Sequence, residues 1–317
     1  MSEHGEQTRL LEQLLKGAES GSVACGSFLA NLDPLNRSQL YTDLLFARLE
    51  RKMRLVEQLF QDSDGCWNQT FYLLYFRTLG DRQNQEAYLE LAHRVPYRIL
   101  LRERTTPHGI EAMLFGASGL LDHYQESPFI NTLRAEFAHY TAKYGLEAMS
   151  PKRWVLREVR PANHPILRLA QAAALFRQDE FLMRRTLACR TERDVRQIFC
   201  SEATPYWCST PLPGTTHEER PRRLGAFKAN IIGINLVAVL QFAYGVLTGS
   251  DSQRDHALSL LERLPAEDNR YMRIWAASGI RPHDAFESQA LLQLITELCL
   301  VQGCSQCPVA RRILHAR

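Results

Sequence analysis

The chain closes on CLVQGCSQCPVARRILHAR, which places Cys299, Cys304 and Cys307 within nine residues. Thiolates are soft ligands for zinc or for an iron–sulfur cluster, and a Cys-x2-Cys pair wraps one ion with little strain. The run Cys299-x4-Cys304-x2-Cys307 also has the spacing of plant-type ferredoxins. Both kinds of centre ask for four ligands. A fourth is available locally from His315, or at a distance from Cys25, Cys66, Cys189, Cys200 or Cys208. Surface thiols that hold no metal are the competing reading. A redox Cys-x-x-Cys pair is the weaker one, because no strand–helix context suggests a thioredoxin-like unit.

Basic residues form a second set with chemical potential. Arg153, Arg157 and Arg160 make one group, Arg220, Arg222, Arg223 and Lys228 another, and Arg311, Arg312 and Arg317 a third. Each can meet phosphate. Tyr206 and Trp207 lie near the second group and are expected to stack on bases. Against this, 38 Lys and Arg are balanced by 35 Asp and Glu, so an ordinary solvated surface explains the same residues. A pI near 8.4 falls short of the composition that by itself announces a nucleic-acid binder.

Catalytic motifs are scarce. There is no His-Glu-x-x-His, no clustered Asp/Glu pattern for magnesium, no Gly-x-Ser-x-Gly, no Walker loop and no Gly-x-Gly-x-x-Gly. His164 in ANHP and His283 in RPHD are candidate acids or bases, with a helix cap or a loop histidine as the plainer reading. An enzyme with a site in a helical cleft would draw on Arg160, Asn163, His164, Asp284 and Glu287, but nothing orders these into roles.

The elements that must position such residues are helical. In LYTDLLFARLERKMRLVEQLF, Leu40, Leu44, Leu45, Leu49, Met53, Val56 and Leu59 form one apolar stripe, with Arg48, Glu50, Arg51 and Lys52 largely outside it. Asp33-Pro34 is a plausible start for that helix. The same period recurs along the chain, and Gly80, Gly145 and Gly303 stand where helices can end. No alternating strand pattern with hairpin turns is present. The segment 201–223, rich in Pro, Thr and charge, reads as a long irregular loop or a boundary. The expectation is an all-α protein of 317 residues, one compact multi-helix domain with a possible subdivision near 201–223.

Composition sets the compartment and solubility. Hydrophobic residues make up 45% and the mean hydropathy is −0.28, enough for a sizeable core. The first residues are polar and lack a secretory signal, so a cytoplasmic protein with reduced thiols is expected. The stretch AFKANIIGINLVAVLQFAYGVL, 226–247, approaches a membrane span in length and follows a basic flank. Asn230, Asn235 and Gln241 interrupt it, and the reading is a buried core helix with those amides hydrogen-bonded inside. No membrane association is expected.

Seven stretches, in order, carry a resemblance. They are VACGSF around Cys25, LLFARLERK at 44–52, GIEAMLFGASGLL at 109–121, RPANHPILRLAQAAAL at 160–175, IIGINLVAVLQFAYG at 231–245, LPAEDNRYMRIWAASGI at 264–280 and FESQALLQLITELCLVQGCSQC at 286–307. Together they resemble an uncharacterised bacterial family catalogued as domain of unknown function 2851. The resemblance implies that Cys25, followed by glycine, is the fourth ligand beside Cys299, Cys304 and Cys307. It also implies a further domain upstream in full-length relatives, with motifs loosely similar to those of metal-dependent nucleases, which this chain would lack. One upstream cysteine followed by three near the end is similar to the layout of iron–sulfur nucleases of DNA processing, an analogy that does not establish function. The leading expectation is a non-catalytic helical module with an iron–sulfur or zinc centre, associated with nucleic acid or a nuclease-like partner. The alternatives are an interaction scaffold without metal and an enzyme with an unrecognised cleft. Cys66, Cys189, Cys200 and Cys208 are then small buried hydrophobes or surface thiols.

Overall fold

The computed structural model describes residues 23, 25–157, 159, 161–212, 214–216, 218 and 220–315. Arg160 and Arg317, and the side chain of His315, lie outside the described residues. In chain order the helices are α1 (Gly26–Ala30), α2 (Pro34–Asp62), α3 (Trp67–Leu79), α4 (Gln85–Arg94), α5 (Tyr97–Arg102), α6 (Gly109–Ala117), α7 (Pro128–Tyr144) and α8 (Pro165–Gln178). They continue with α9 (Leu182–Ala188), α10 (Glu192–Phe199), α11 (Pro205–Ser209), α12 (Ala226–Thr248), α13 (Asp251–Arg263), α14 (Arg270–Ala277), α15 (Ala285–Leu294) and α16 (Pro308–His315). Among the described residues there is no strand, only two isolated bridges, and the fold is all-α.

The central helix α2 forms as its sequence dictates. Asp33 caps it by accepting from the Asn36 backbone N–H, and Pro34 occupies the first helical position. Leu40, Leu44, Leu45, Leu49, Val56 and Leu59 are buried along one side. Against that side pack α15 and α12, and α12 in turn lies along α13. A second layer joins α3 to α4, and α6 to α7 and α8. Its centre is aromatic: Tyr72, Tyr75, Phe76 and Phe176 meet at centroid separations of 4.9 to 5.8 Å.

Helix α12 is, among the described residues, the one helix long and apolar enough to cross a membrane, and 67% of its most apolar window is buried inside the bundle. Its amides behave in three ways. Gln241 Nε2 donates to the carbonyls of Thr186, Leu187 and Cys189, satisfying the open end of α9. Asn235 Oδ1 accepts from Lys52 Nζ at 2.6 Å. Asn230 departs from expectation, since its Oδ1 is buried with no partner among the described residues.

The stretch 201–223 is less irregular than its composition suggests. It contains α11, and an antiparallel bridge joins Glu202 to Arg223. Trp207 on α11 is fully buried, stacked on Phe115 of α6 at 4.1 Å, with its Nε1 donating to Glu111 Oε1 at 2.8 Å. Tyr206 stacks on Phe129 at 4.1 Å. This corrects the expectation of base stacking: Trp207 is spent on the core, and the Tyr206 ring already has a partner.

Candidate metal centre

Cys25 stands at the N-cap of α1, the first described turn of the chain. The three late cysteines come from the end of α15 and the turns after it. Helix α15 runs on into a π turn, Ile295–Cys299, in which Leu300 N–H donates to the Ile295 carbonyl at 2.9 Å. Cys304 opens a 3-10 turn, Cys304–Gln306. Cys307 follows it and immediately precedes Pro308, the first residue of α16.

The four thiols line one small cavity together with Leu298 and Ala310. Two ends of the sequence therefore meet at a single place, and all eight cysteines of the chain are free thiols. The cavity leaves about 20 Å³ for the centre of a water-sized sphere, room for one such body. Among the described residues, no three His, Cys, Asp or Glu side chains stand at metal-holding spacing. The thiols thus share a wall without forming a coordination sphere.

Local chemistry explains why these positions hold cysteine and glycine. Burial pushes the Cys25 thiol up to about 12, and the nearby Cys307 adds to the rise. Burial pushes Cys299 up to about 12 as well, reinforced by Cys25, Cys307 and Cys304. Cys25, Cys299 and Cys304 each feel at least one neighbouring thiol, and four anions in this pocket would repel without a cation among them. Gly26, next to Cys25, lies against the end of α14: a Cβ placed there would come within 2.6 Å of Ser278 Cβ. The dipeptide Cys25-Gly26 therefore brings the early segment in close. The donor set fits a soft metal: four sulfurs, an apolar lining and no carboxylate among the lining residues.

The sharp turn before Cys304 differs from expectation. Gly303 has φ −78°, while Gln302 takes the left-handed conformation at φ 55°. A non-glycine residue there is uncommon and marks a turn held by its surroundings. Gly303 N–H donates to the Leu298 carbonyl at 2.8 Å, closing the π turn.

The remaining cysteines stand apart from this cavity. Cys66 is exposed, and Cys189 and Cys208 are buried, Cys208 donating to the Ala203 carbonyl at 3.4 Å. Cys200 is half-buried. Four of the eight described residues in the basic groups pair with carboxylates, among them Arg153 with Glu90 at 2.8 Å, Arg220 with Glu218 at 3.5 Å and Arg223 with Glu202 at 2.5 Å. Lys228 is buried and pairs with Asp81 at 2.8 Å. Arg157 and Arg311 are exposed, Arg222 is half-buried, and Arg312 donates to the Asn36 carbonyl at 3.1 Å.

Of the residues named for an enzyme cleft, two close a helix start and Arg160 lies outside the described residues. Asp284 caps α15 by accepting from Glu287 N–H, and Glu287 reaches back to accept from His283 N–H, both at 2.9 Å. Asn163 Oδ1 accepts from Arg168 Nη2 at 2.7 Å. His164 precedes Pro165 at the start of α8, and burial depresses its imidazole.

A family model described as "Protein of unknown function (DUF2851)" matches residues 5–270. The chain belongs to this family. The matched residues include Cys25 and end before Cys299. No curated protein and no solved structure matches the chain.

Proposed function

We propose that this DUF2851 protein is a non-catalytic helical module organised by a thiolate metal centre, with Cys25, Cys299, Cys304 and Cys307 as ligands. The observation that carries the reading is the meeting of cysteines from both ends of the chain in one cavity. The metal would supply the positive charge that four crowded thiolates lack, and would tie the segment before α1 to the turns before α16. Metal binding and folding are coupled where a site joins distant segments. The cavity is closer in size to a single ion such as zinc than to an iron–sulfur cluster, and for either the thiols must draw together into one coordination sphere. Association with nucleic acid or a nuclease-like partner is part of the same reading, resting on the resemblance in cysteine layout and on the unpaired basic residues.

The test is to purify the protein without oxygen and measure zinc, iron and acid-labile sulfide per chain. One zinc per chain, absent from Cys25→Ser and Cys307→Ser, supports a single-ion staple. Iron with matching sulfide supports a cluster and strengthens the link to DNA processing. A metal-free protein in which Cys304→Ser leaves stability unchanged overturns the proposal and leaves an interaction scaffold.

A further inference from the structure

A large cleft lies away from the cysteines, between α2, α3, α12, α15 and the start of α14, with a volume of about 640 Å³. That falls within the range of small-molecule sites. Six cationic residues line it, Arg48, Lys52, Arg77, Arg82, Lys228 and Arg270, against two carboxylates, Asp81 and Glu267. Asp81 is already paired to Lys228.

Two of these cations are placed as a structural role alone would not place them. Arg48 and Lys52 lie one turn apart on α2, where like charges repel. Neither pairs with a carboxylate among the described residues. Instead they share one neutral acceptor: Gln289 Oε1 accepts from Arg48 Nε at 2.7 Å and from Lys52 Nζ at 3.1 Å. Asn235 Oδ1 supplies the other bond to Lys52, at 2.6 Å. The amide of Gln289 is fixed in this sense because its Nε2 donates to Glu267 Oε1 at 2.8 Å. Among the described residues the terminal nitrogens of Arg48 have no hydrogen-bond partner. Burial depresses Arg48 to about 10 and Lys52 well below an ordinary lysine; Arg48 and Arg51 lower Lys52 further, and Glu267 partly offsets the fall in both. Glu267 is the one lining carboxylate that acts on this pair, through the Gln289 amide and without a direct contact, so a further anion in the cleft would be held favourably by the two cations.

The backbone is also specialised here. Asn235 sits on a π turn, Gly233–Val237, inside α12. π turns are rare and recur at functional sites. Beside the cations, Leu55, Leu74, Ile231, Val239 and Leu292 present an apolar wall.

We propose that this cleft binds a phosphorylated small molecule of nucleotide size, its phosphate held by Lys52 and Arg48 and its uncharged body against the apolar wall. The cations at issue are half-buried inside a cleft that matches one such ligand, which argues for a small molecule over a strand lying across an open surface. The inference does not depend on the metal centre.

Calorimetric titration of the 317-residue protein with AMP, adenosine and inorganic phosphate tests it. AMP should bind one saturable site, at least tenfold tighter than adenosine, and phosphate should compete. Lys52→Met and Arg48→Met should each weaken AMP by tenfold or more. If Lys52→Met does not fold, competition of AMP by phosphate in the unaltered protein carries the test with Arg82→Ala, expected to weaken AMP severalfold. Equal affinity for AMP and adenosine, or no heat from either, overturns the proposal. So does a 5′-phosphorylated oligonucleotide that binds where AMP does not, since it would mark a nucleic-acid end site.

Discussion

Gly26 makes the plainest single-residue test of how the early segment is held. A Cβ there would meet Ser278 Cβ at 2.6 Å, and that atom is fixed to backbone rather than to a flexible tip. Gly26→Ala is therefore expected to destabilise by about 1–3 kcal/mol through overpacking. Because Cys25 is the adjacent residue, the same variant should lower metal content; Ser278→Gly should restore both. Thermal unfolding and metal analysis of the single and double variants check this, and loss without rescue would locate the strain elsewhere. Glu111 makes a second test, independent of metal. It is buried and accepts from Thr204 Oγ1 at 2.6 Å and Trp207 Nε1 at 2.8 Å, with His108 Nδ1 at 3.0 Å. Glu111→Leu leaves those donors unpaired and should cost about 2–4 kcal/mol. Denaturant unfolding measures it, and a cost near zero would show that water replaces the carboxylate.

At the scale of elements, caps and turns decide what the residues near them can do. Asp284 and Glu287 close the start of α15, so Asp284→Ala should cost about 1 kcal/mol in denaturant unfolding and leave AMP binding unchanged. A larger effect on binding than on stability would return these residues to a functional role. The start of α2 was legible because Asp33-Pro34 is a local signal, and the all-α class because the apolar period recurs in every segment. Three features were not legible. Arg48 and Lys52 flank the apolar stripe of α2 and read as solvent-facing; α12 and α15 cover them, which no period within α2 reveals. Trp207 sits in a Pro- and Thr-rich stretch that gives no sign of the partner waiting on α6. The left-handed residue of the last turn is Gln302 rather than Gly303, because the π turn Ile295–Cys299 adds a residue to the helix end and shifts the turn. The cysteine triplet was legible from spacing, whereas the place of Cys25 beside it is a contact between chain ends that spacing cannot specify.

Across the whole molecule the two proposed sites are mechanically joined. Thr296 lines the cleft and Cys299 lines the thiol cavity, and both lie in the same π turn. Arg51 on α2 reaches that turn through Glu297 at 3.0 Å and reaches Gln293 of α15 at 3.3 Å. Gln289, which holds Arg48 and Lys52, lies two turns earlier on the same helix. A metal that orders the end of α15 should thus also order the cleft. A ligand at a thousand times its Kd stabilises by about 4 kcal/mol, so removing metal with a chelator should lower the unfolding midpoint of the whole protein rather than of one end. The same treatment should weaken AMP binding by threefold or more. By linkage AMP must then raise metal affinity by the same factor. Titrating AMP into metal-loaded and chelated protein, and metal into protein with and without AMP, gives both sides of that equality. Equal AMP affinity in the two states would mean that the π turn holds its shape without metal and that each site stands alone.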